Sequence, residues 1–115
     1  MKKIFIIILF LVFLCGCGNT KYQNNDNTTF YHDIMNNNEY IIIDVRTKSE
    51  YEEAHIIDAI NIPYDEIDDS ISKNKVIFVY CKSGNRSKIA FNTLKNLGYE
   101  VYDLGAFTEI DLPKE

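Results

Sequence analysis

The stretch KVIFVYCKSGNRSKIAFNTLKNLG, residues 75–98, decides the fold of this chain. Its opening run, residues 75–80, gives the strongest strand signal in the chain. The run at residues 40–45 lacks alternation, which is typical of a strand buried on both faces of a parallel sheet. A helix is predicted over residues 86–97, with one apolar face made by Ala90, Leu94 and Leu97. Gly98 suits the position just past the end of that helix. The stretch therefore predicts one strand–loop–helix unit.

The flanking segments continue the alternation of strands and helices. Three more strands are predicted, at residues 40–45, 59–62 and 100–104. Helices or helical turns are predicted between them, at residues 30–36, 49–55 (capped by Ser49) and 64–72. This order predicts one α/β domain, residues 30–115, with an open parallel sheet flanked by helices and a loop between the central strand and a helix.

The loop CKSGNRS, residues 81–87, follows the carboxyl end of that strand, where α/β proteins bind ligands. Gly84 allows a tight curve with converging N–H groups, and the following helix adds partial positive charge. Arg86 and Lys82 add full charges, so we expect Cys81 to be a thiolate and a sulfur nucleophile. The competing interpretation, a small buried residue at a strand end, accounts for the cysteine but not for its neighbours.

The spacing within the loop bears on the size of the substrate. Cysteine-dependent phosphatases have one more residue between cysteine and arginine than separates Cys81 from Arg86. They also commonly have histidine before the cysteine, where this chain has Tyr80. A shorter ring of N–H groups suits one added sulfur atom better than a whole phosphate group.

The chain resembles the single-domain rhodaneses, which are sulfurtransferases, from about residue 40 to residue 113. Four segments carry the resemblance: IIIDVRTKSEYEEAHI (41–56), AINIP (59–63), VIFVYCKSGNRS (76–87), and LGY followed by VYDLGAF (97–107). The resemblance implies the rhodanese-like fold and the transfer of sulfane sulfur without a cofactor.

The resemblance also implies a role for each matching position. Cys81 would carry the sulfur as a persulfide, inside a substrate-binding loop formed by Lys82, Ser83, Gly84, Asn85, Arg86 and Ser87. Asp44 and Arg46 would form a buried polar pair that supports the structure. His55 would be a structural hydrogen-bonding residue, because sulfur transfer to a thiolate needs no base.

Three features depart from the family pattern. The usual HIPGA turn is HIIDA here, with Ile57 and Asp58 in place of proline and glycine. Ala54 stands where glycine is usual, and Gly105 is followed by alanine where a second glycine is usual. The chain has no tryptophan. These departures predict altered local turns and one reshaped wall of the pocket, outside the cysteine loop.

The N-terminal sequence MKKIFIIILFLVFLCGC, residues 1–17, predicts a bacterial lipoprotein signal. Two lysines precede an apolar run, residues 4–14, that is shorter than the roughly 20 residues a membrane-spanning helix needs. We expect cleavage after residue 16 and lipidation of Cys17; the alternative is an uncleaved anchor. The polar residues that follow predict a flexible tether, 17–29. The domain is thus expected outside the cytoplasm, anchored to a bacterial membrane.

The composition of the chain limits which partners and ligands it is expected to bind. The formal net charge of −5 becomes more negative once the signal lysines are lost, which argues against nucleic acid. With Cys15 in the signal and Cys17 lipidated, Cys81 is the only free thiol, so no internal disulfide is expected. Only two histidines are present and no metal-ligand cluster is predicted.

Three functions remain open from the sequence. The first is a sulfurtransferase that takes sulfur from thiosulfate or a persulfide and passes it to cyanide or a thiol, with a protein persulfide as a further partner. The second is a slow or non-catalytic sulfur carrier or protein-docking module. The third is a phosphatase or arsenate reductase, which the short loop disfavours.

Overall fold

The computed structural model describes residues 26–115 of the chain. Its elements are, in chain order, α1 (Asp26–Asn37), β1 (Tyr40–Asp44), α2 (Lys48–Glu53), β2 (Ile60–Asn61), β3 (Val76–Cys81), α3 (Asn85–Asn96) and β4 (Val101–Ala106). The predicted signal, the predicted lipidation site Cys17 and most of the predicted tether lie outside the described residues. Within residues 26–115, no helix is long and apolar enough to cross a membrane.

The four strands form one parallel sheet in the order β2-β1-β3-β4. Strand β3 is central, and each of its residues is buried. A central strand of a parallel sheet is covered on both faces, which explains why its sequence VIFVYC does not alternate. The predicted open parallel sheet, with the cysteine loop at the carboxyl end of a central strand, is confirmed.

The core lies within the compact unit Met35–Glu115. It joins the inner strands to one face of α3, and its buried members are Ile43, Val45, Ile77, Val79, Cys81, Ala90, Leu94, Tyr99 and Val101. Cys81 is thus the point where the hydrophobic core meets the functional loop. Packing of the strand below it and of the helix after it fixes the position of the loop.

A bulge in β4 shapes the carboxyl edge of the sheet. Val79 pairs with Asp103 but Tyr80 pairs with Gly105, so β4 has one extra residue between them. Gly105 has a φ of +86°, and its N–H donates to Asp103 Oδ1 at 2.9 Å. Such a bulge redirects the strand, and the chain continues into a 3-10 turn, Phe107–Glu109.

The helical boundaries differ from the sequence prediction at two places. Helix α1 begins at Asp26, inside the tether predicted for residues 17–29 and before the predicted start at residue 30. Polar and β-branched residues cost a helix only about 0.7 kcal/mol or less each, so Thr28 and Thr29 do not stop it. The cap of α2 is Thr47, not Ser49, because Thr47 completes a reciprocal capping box with Glu50.

The helix predicted at residues 64–72 was wrong. Only a 3-10 turn forms, Tyr64–Glu66, and the chain is extended at Ile67. Ile67 and Ile71 still pack against the core, so their spacing of four reflected burial and not helical structure. The Asp68 carboxylate accepts a hydrogen bond from Ser70 N–H at 3.0 Å, a local turn that competes with a helix.

Candidate active site

The cysteine loop joins the end of β3 to the start of α3. Cys81 is the last residue of the strand, and Gly84 is the residue that precedes the helix. Gly84 has a φ of +98°, in the left-handed region, although a side chain there would meet nothing within 4 Å. Glycine is therefore required by the backbone angle and not by space. This curve turns the N–H groups of the loop back toward the sulfur.

The sulfur of Cys81 accepts hydrogen bonds from the loop. The N–H of Gly84 lies 2.9 Å from Sγ. Burial raises the pKa of the thiol, but hydrogen bonds from the Ser87 hydroxyl and from the N–H groups of Ser87, Gly84 and Ser83 outweigh it and leave the pKa lowered. The single Ser87 hydroxyl proton is directed to the Gly84 carbonyl oxygen at 3.1 Å, so it reaches the sulfur by rotating about its C–O bond.

Cys81 has no exposed surface, while three side chains of its loop are exposed: Lys82, Ser83 and Asn85. The sulfur is therefore shielded from solvent in the loop conformation that the structure shows.

Arg86 is held by a carboxylate from a different element. Its Nη1 and Nη2 atoms lie 2.7 and 3.1 Å from Oε1 and Oε2 of Glu50 on α2, a two-pronged ion pair. The pair with Arg86 is the largest cause that lowers the pKa of Glu50 to about 2. Arg86 was predicted as part of the substrate-binding loop, and its pairing with Glu50 was not predicted. The Thr47-x-x-Glu50 pattern in the sequence indicates only the helix cap, and no local pattern indicates the pairing of Glu50 with Arg86.

Asp44 and Arg46, predicted as a buried polar pair, are in direct contact. Arg46 Nη2 lies 2.6 Å from Asp44 Oδ2, and both side chains are almost fully buried. Arg46 Nε also donates to this carboxylate at 2.9 Å, and Nη2 donates to the Ala54 carbonyl oxygen at 2.6 Å. Buried charges are tolerated when they are paired and hydrogen-bonded in this way.

Tyr80, the residue before the cysteine, is hydrogen-bonded to this buried pair. Its hydroxyl donates to Asp44 Oδ2 at 2.7 Å and accepts from Ile56 N–H at 3.1 Å. Its ring stacks on Phe107, and the Arg46 guanidinium lies 4.4 Å from the centre of the Phe107 ring. The bulge in β4 thus brings an aromatic ring over the buried charges. No role had been predicted for Tyr80 or Phe107.

His55 lies in a separate hydrogen-bonded group. Its ring stacks on Tyr51 at 3.9 Å between centroids, and Nδ1 lies 2.8 Å from the Tyr51 carbonyl oxygen. Nε2 lies 3.1 Å from Glu115 Oε2. Both ring nitrogens are occupied, an arrangement that suits the predicted structural role of His55.

The turn HIIDA retains a tight geometry without its usual proline and glycine. Ala59 N–H donates to the Ile56 carbonyl oxygen at 3.0 Å, and Asp58 has a φ of +71°. A positive φ at the third position is typical of a type II turn, whose preferred residues are proline and then glycine. Ile57 instead uses its N–H to donate to the Pro113 carbonyl oxygen at 2.9 Å.

Among residues 26–115, no group of three or more histidine, cysteine or acidic side chains is placed to hold a metal ion. The site that remains consists of a thiol, its ring of loop N–H groups, and the neighbouring Glu50–Arg86 pair.

Comparison with known proteins places these features in context. The sequence model of the rhodanese-like domain matches residues 27–110. The chain is 37% identical over 78 residues to the thiosulfate sulfurtransferase PspE of Escherichia coli (strain K12), covering 63% of this chain and 75% of that protein. It is 39% identical over 62 residues to the putative sulfur carrier protein YrkF of Bacillus subtilis (strain 168), covering 51% and 34%.

Some relatives are much longer than the matched region. The chain spans 24% of a probable molybdopterin-synthase adenylyltransferase of Porphyra purpurea, with 35% identity over 92 residues and 73% of this chain covered. Among solved structures, a rhodanese with anions from E. coli superposes with a TM-score of 0.62 at 35% identity, covering 66% of this chain and 96% of the other.

Proposed function

This chain belongs to the rhodanese-like domain family, and from that premise we propose that it is a sulfurtransferase that carries sulfane sulfur on Cys81. The observation that carries the proposal is the loop N–H of Gly84 at 2.9 Å from the Cys81 sulfur. Hydrogen bonds of this kind stabilise the thiolate, which is the form that attacks, and they stabilise the persulfide anion in the same place.

The first half-reaction loads the enzyme. The Cys81 thiolate attacks the outer sulfur of a donor, such as thiosulfate or a thiol persulfide. A new S–S bond forms to Cys81, the old S–S bond breaks, and sulfite or a thiolate leaves with its electron pair. Cys81 then holds the transferred sulfur as a persulfide. No proton must be removed from the nucleophile, so His55 is not needed as a base.

The second half-reaction removes the transferred sulfur from Cys81. Cyanide or an acceptor thiolate attacks the outer sulfur of the persulfide. The S–S bond breaks, the product leaves as thiocyanate or a new persulfide, and the Cys81 thiolate returns. The two halves give ping-pong kinetics. The loop N–H groups and the buried Ser87 hydroxyl favour negative charge on sulfur in both half-reactions.

The test is sulfur transfer by the full chain, purified in mild detergent, beside its Cys81→Ser variant. We expect thiocyanate from thiosulfate and cyanide with the wild type and none above background with the variant. Mass spectrometry of the Cys81 peptide should show a gain of one sulfur atom after exposure to the donor. If neither thiosulfate nor a thiol persulfide loads sulfur onto Cys81, this function is refuted.

The sulfur-carrier interpretation has one observation in its favour, the similarity to a protein described as a putative sulfur carrier. A carrier would load Cys81 but pass sulfur to cyanide very slowly. Loading without turnover would therefore indicate a carrier that needs a dedicated protein acceptor.

We further propose that the chain is a lipoprotein, cleaved after residue 16, lipidated on Cys17 and held outside the cytoplasm. The support is the N-terminal sequence itself: a basic start, a short apolar run and LCGC. Two or three acyl chains would make a stable anchor. Expression in a bacterial host should place the wild type in the membrane fraction with a lipid-bearing Cys17 peptide. Loss of both features in Cys17→Ser would support the proposal, and an unmodified peptide in the wild type would refute it.

A further inference from the structure

The guanidinium of Arg86 is already occupied. Glu50 takes both of its terminal nitrogens, and the two side chains are only 27% and 28% exposed. A planar guanidinium binds carboxylate and other oxyanions with this same two-pronged geometry. The group in the loop that is best suited to hold an oxyanion is therefore engaged by the protein's own carboxylate.

Glu50 is also fixed in place before any donor arrives. Its Oε1 atom accepts from the N–H and the hydroxyl of Thr47, at 3.1 and 3.0 Å. Its own N–H donates to the Thr47 hydroxyl at 3.2 Å. A carboxylate held by a helix cap and by a cation stays ionised and has little freedom to swing away. An incoming oxyanion would compete with it for those two N–H groups and would meet a guanidinium whose charge is already balanced.

Sulfur donors differ in whether they bring an oxyanion to the loop. Thiosulfate carries its outer sulfur on a sulfonate group, which is a bulky dianion. A thiol persulfide carries its outer sulfur on another sulfur and brings no oxyanion to the loop. Within the loop, Lys82 is an exposed cation that makes no ion pair among the described residues. Exposed single cations give weak attraction.

We propose that Glu50 is a positioning residue that sets donor specificity: by occupying Arg86 it disfavours oxyanion-bearing donors and selects thiol persulfides. This inference rests on the proposed sulfurtransferase function. It assigns the physiological donor to the chemical class of thiol persulfides, whether small molecules or cysteine persulfides of proteins. Thiosulfate is then a poor substitute that the loop accepts only at high concentration.

The test uses Glu50→Gln in the full chain. Glutamine still accepts hydrogen bonds from Thr47, so the helix cap is kept while the charge that holds Arg86 is removed. The measurement is the single-turnover rate of persulfide formation on Cys81, followed by mass spectrometry over a range of donor concentrations. The two donors are thiosulfate and the persulfide of 2-mercaptoethanol. Inorganic sulfate serves as an oxyanion inhibitor.

We expect the half-saturating concentration of thiosulfate to fall about tenfold in Glu50→Gln, the size of one charge-assisted interaction gained. The maximal loading rate should change little. Inhibition by sulfate should strengthen by a similar factor, and loading from the persulfide should stay within about twofold of the wild type. A merely structural role for Glu50 would alter loading from both donors alike.

Two further variants test whether the effect is specific to Glu50 and depends on Arg86. Glu53→Gln removes the same charge from the same helix at an exposed position with no ion pair among the described residues, and it should behave as the wild type. In the double variant Glu50→Gln with Arg86→Gln, the gain in thiosulfate and sulfate binding should vanish, because it depends on the freed guanidinium.

The outcomes separate this inference from the proposed function. If no donor loads Cys81 in any protein, the sulfurtransferase function fails. If both donors load the wild type but Glu50→Gln leaves the thiosulfate dependence unchanged, the function stands and the specificity role is refuted. Equal changes for both donors, or a gain that persists in the double variant, would also refute it.

Discussion

At the scale of single residues, the reactivity of Cys81 depends on hydrogen bonds that overcome the effect of burial. We predict that Ser87→Ala raises the pKa of the Cys81 thiol, because the variant loses the hydroxyl that helps to lower it. Alkylation of the Cys81 peptide by iodoacetamide should then be several-fold slower at neutral pH, and its pH midpoint should move upward. A pH series followed by mass spectrometry measures both changes.

The control is Ser83→Ala, which keeps the backbone N–H that serves the sulfur and removes only an exposed hydroxyl. Equal midpoints in the two variants would contradict the role given to the Ser87 hydroxyl. The same shift makes folding stability depend on pH. Because the pKa of the thiol is lowered on folding, the thiolate stabilises the fold above the unfolded pKa of about 8.5. That contribution is lost as the pH falls through the folded pKa.

Tyr80 makes a second residue-scale prediction. Its hydroxyl joins a buried carboxylate to a buried backbone N–H, and burial raises its pKa so that it remains a donor. Tyr80→Phe leaves the Ile56 N–H without an acceptor and should cost about 1–3 kcal/mol in the free energy of unfolding. Urea titration measures this cost. Tyr40→Phe, at a half-exposed strand start, should cost almost nothing, and a similar loss in both would contradict the argument.

At the scale of elements, the turn between α2 and β2 is the place where sequence and backbone disagree most. Asp58 adopts a left-handed conformation that glycine adopts at no steric cost. We predict that Asp58→Gly stabilises the protein by about 0.5–1 kcal/mol, measured as a higher urea midpoint with an unchanged slope. Asp58→Ala keeps the steric cost and should give no gain; if alanine stabilises as much as glycine, the conformational explanation fails.

At the neighbouring residue, Ile57, the substitution that the turn type favours should lower the stability of the protein. Proline at residue 57 fits a type II turn, but Ile57→Pro removes the N–H that donates to the Pro113 carbonyl oxygen. We expect a loss of about 1 kcal/mol and faster proteolysis of the segment that contains Lys114, which bridges to Ile56. A more stable Ile57→Pro variant would show that the turn preference outweighs this hydrogen bond.

The elements that the sequence predicted well are those whose burial leaves a local pattern. The central strand has an unbroken apolar run because both its faces are covered, and α3 shows its apolar face at helical spacing. The failed helix at residues 64–72 rested on only two isoleucines four residues apart. Two apolar residues can reach a core from an irregular chain as well as from a helix.

The residues of the site also fall into those that local sequence predicts and those that it does not. The cysteine loop was predictable because its residues are adjacent in sequence and each type has a local chemical reason. The partner of Arg86 was not, because Glu50 lies 36 positions earlier and only the packed fold brings them together. Tyr80 was noted only as the replacement for a histidine. Strand pairing places Asp44 beside Tyr80, and the turn before β2 brings the Ile56 N–H to the same hydroxyl; no local pattern records either contact.

At the scale of the whole molecule, charge limits which donors the site attracts. The chain carries a formal net charge of −5, so its field repels dianions in general. The loop arginine, in addition, is paired internally with Glu50. The overall charge and the Glu50–Arg86 pair therefore act in the same direction, against thiosulfate and toward donors with less charge at the reacting end.

The same pair makes the stability of the whole molecule sensitive to acid. The pKa of Glu50 is lowered on folding, chiefly by Arg86, to about 2. A lowered carboxylate pKa gives stability that is fully present above the unfolded value of about 4.3 and is lost as the pH falls through the folded value. We therefore predict that the wild type exceeds Glu50→Gln by about 1 kcal/mol in unfolding free energy near pH 6, allowing for partial exposure of the pair.

This difference should shrink as the pH falls from about 4.3 toward 2 and vanish below that range, because the protonated Glu50 then resembles glutamine. Urea unfolding of both proteins across a pH series measures it, and high salt should reduce the difference at pH 6. Glu53→Gln provides the matched control, since Glu53 makes no ion pair within the described residues. A difference between wild type and Glu50→Gln that stayed constant from pH 6 to below 2 would mean that glutamine disturbs the helix cap, and that the ion pair with Arg86 does not stabilise the fold.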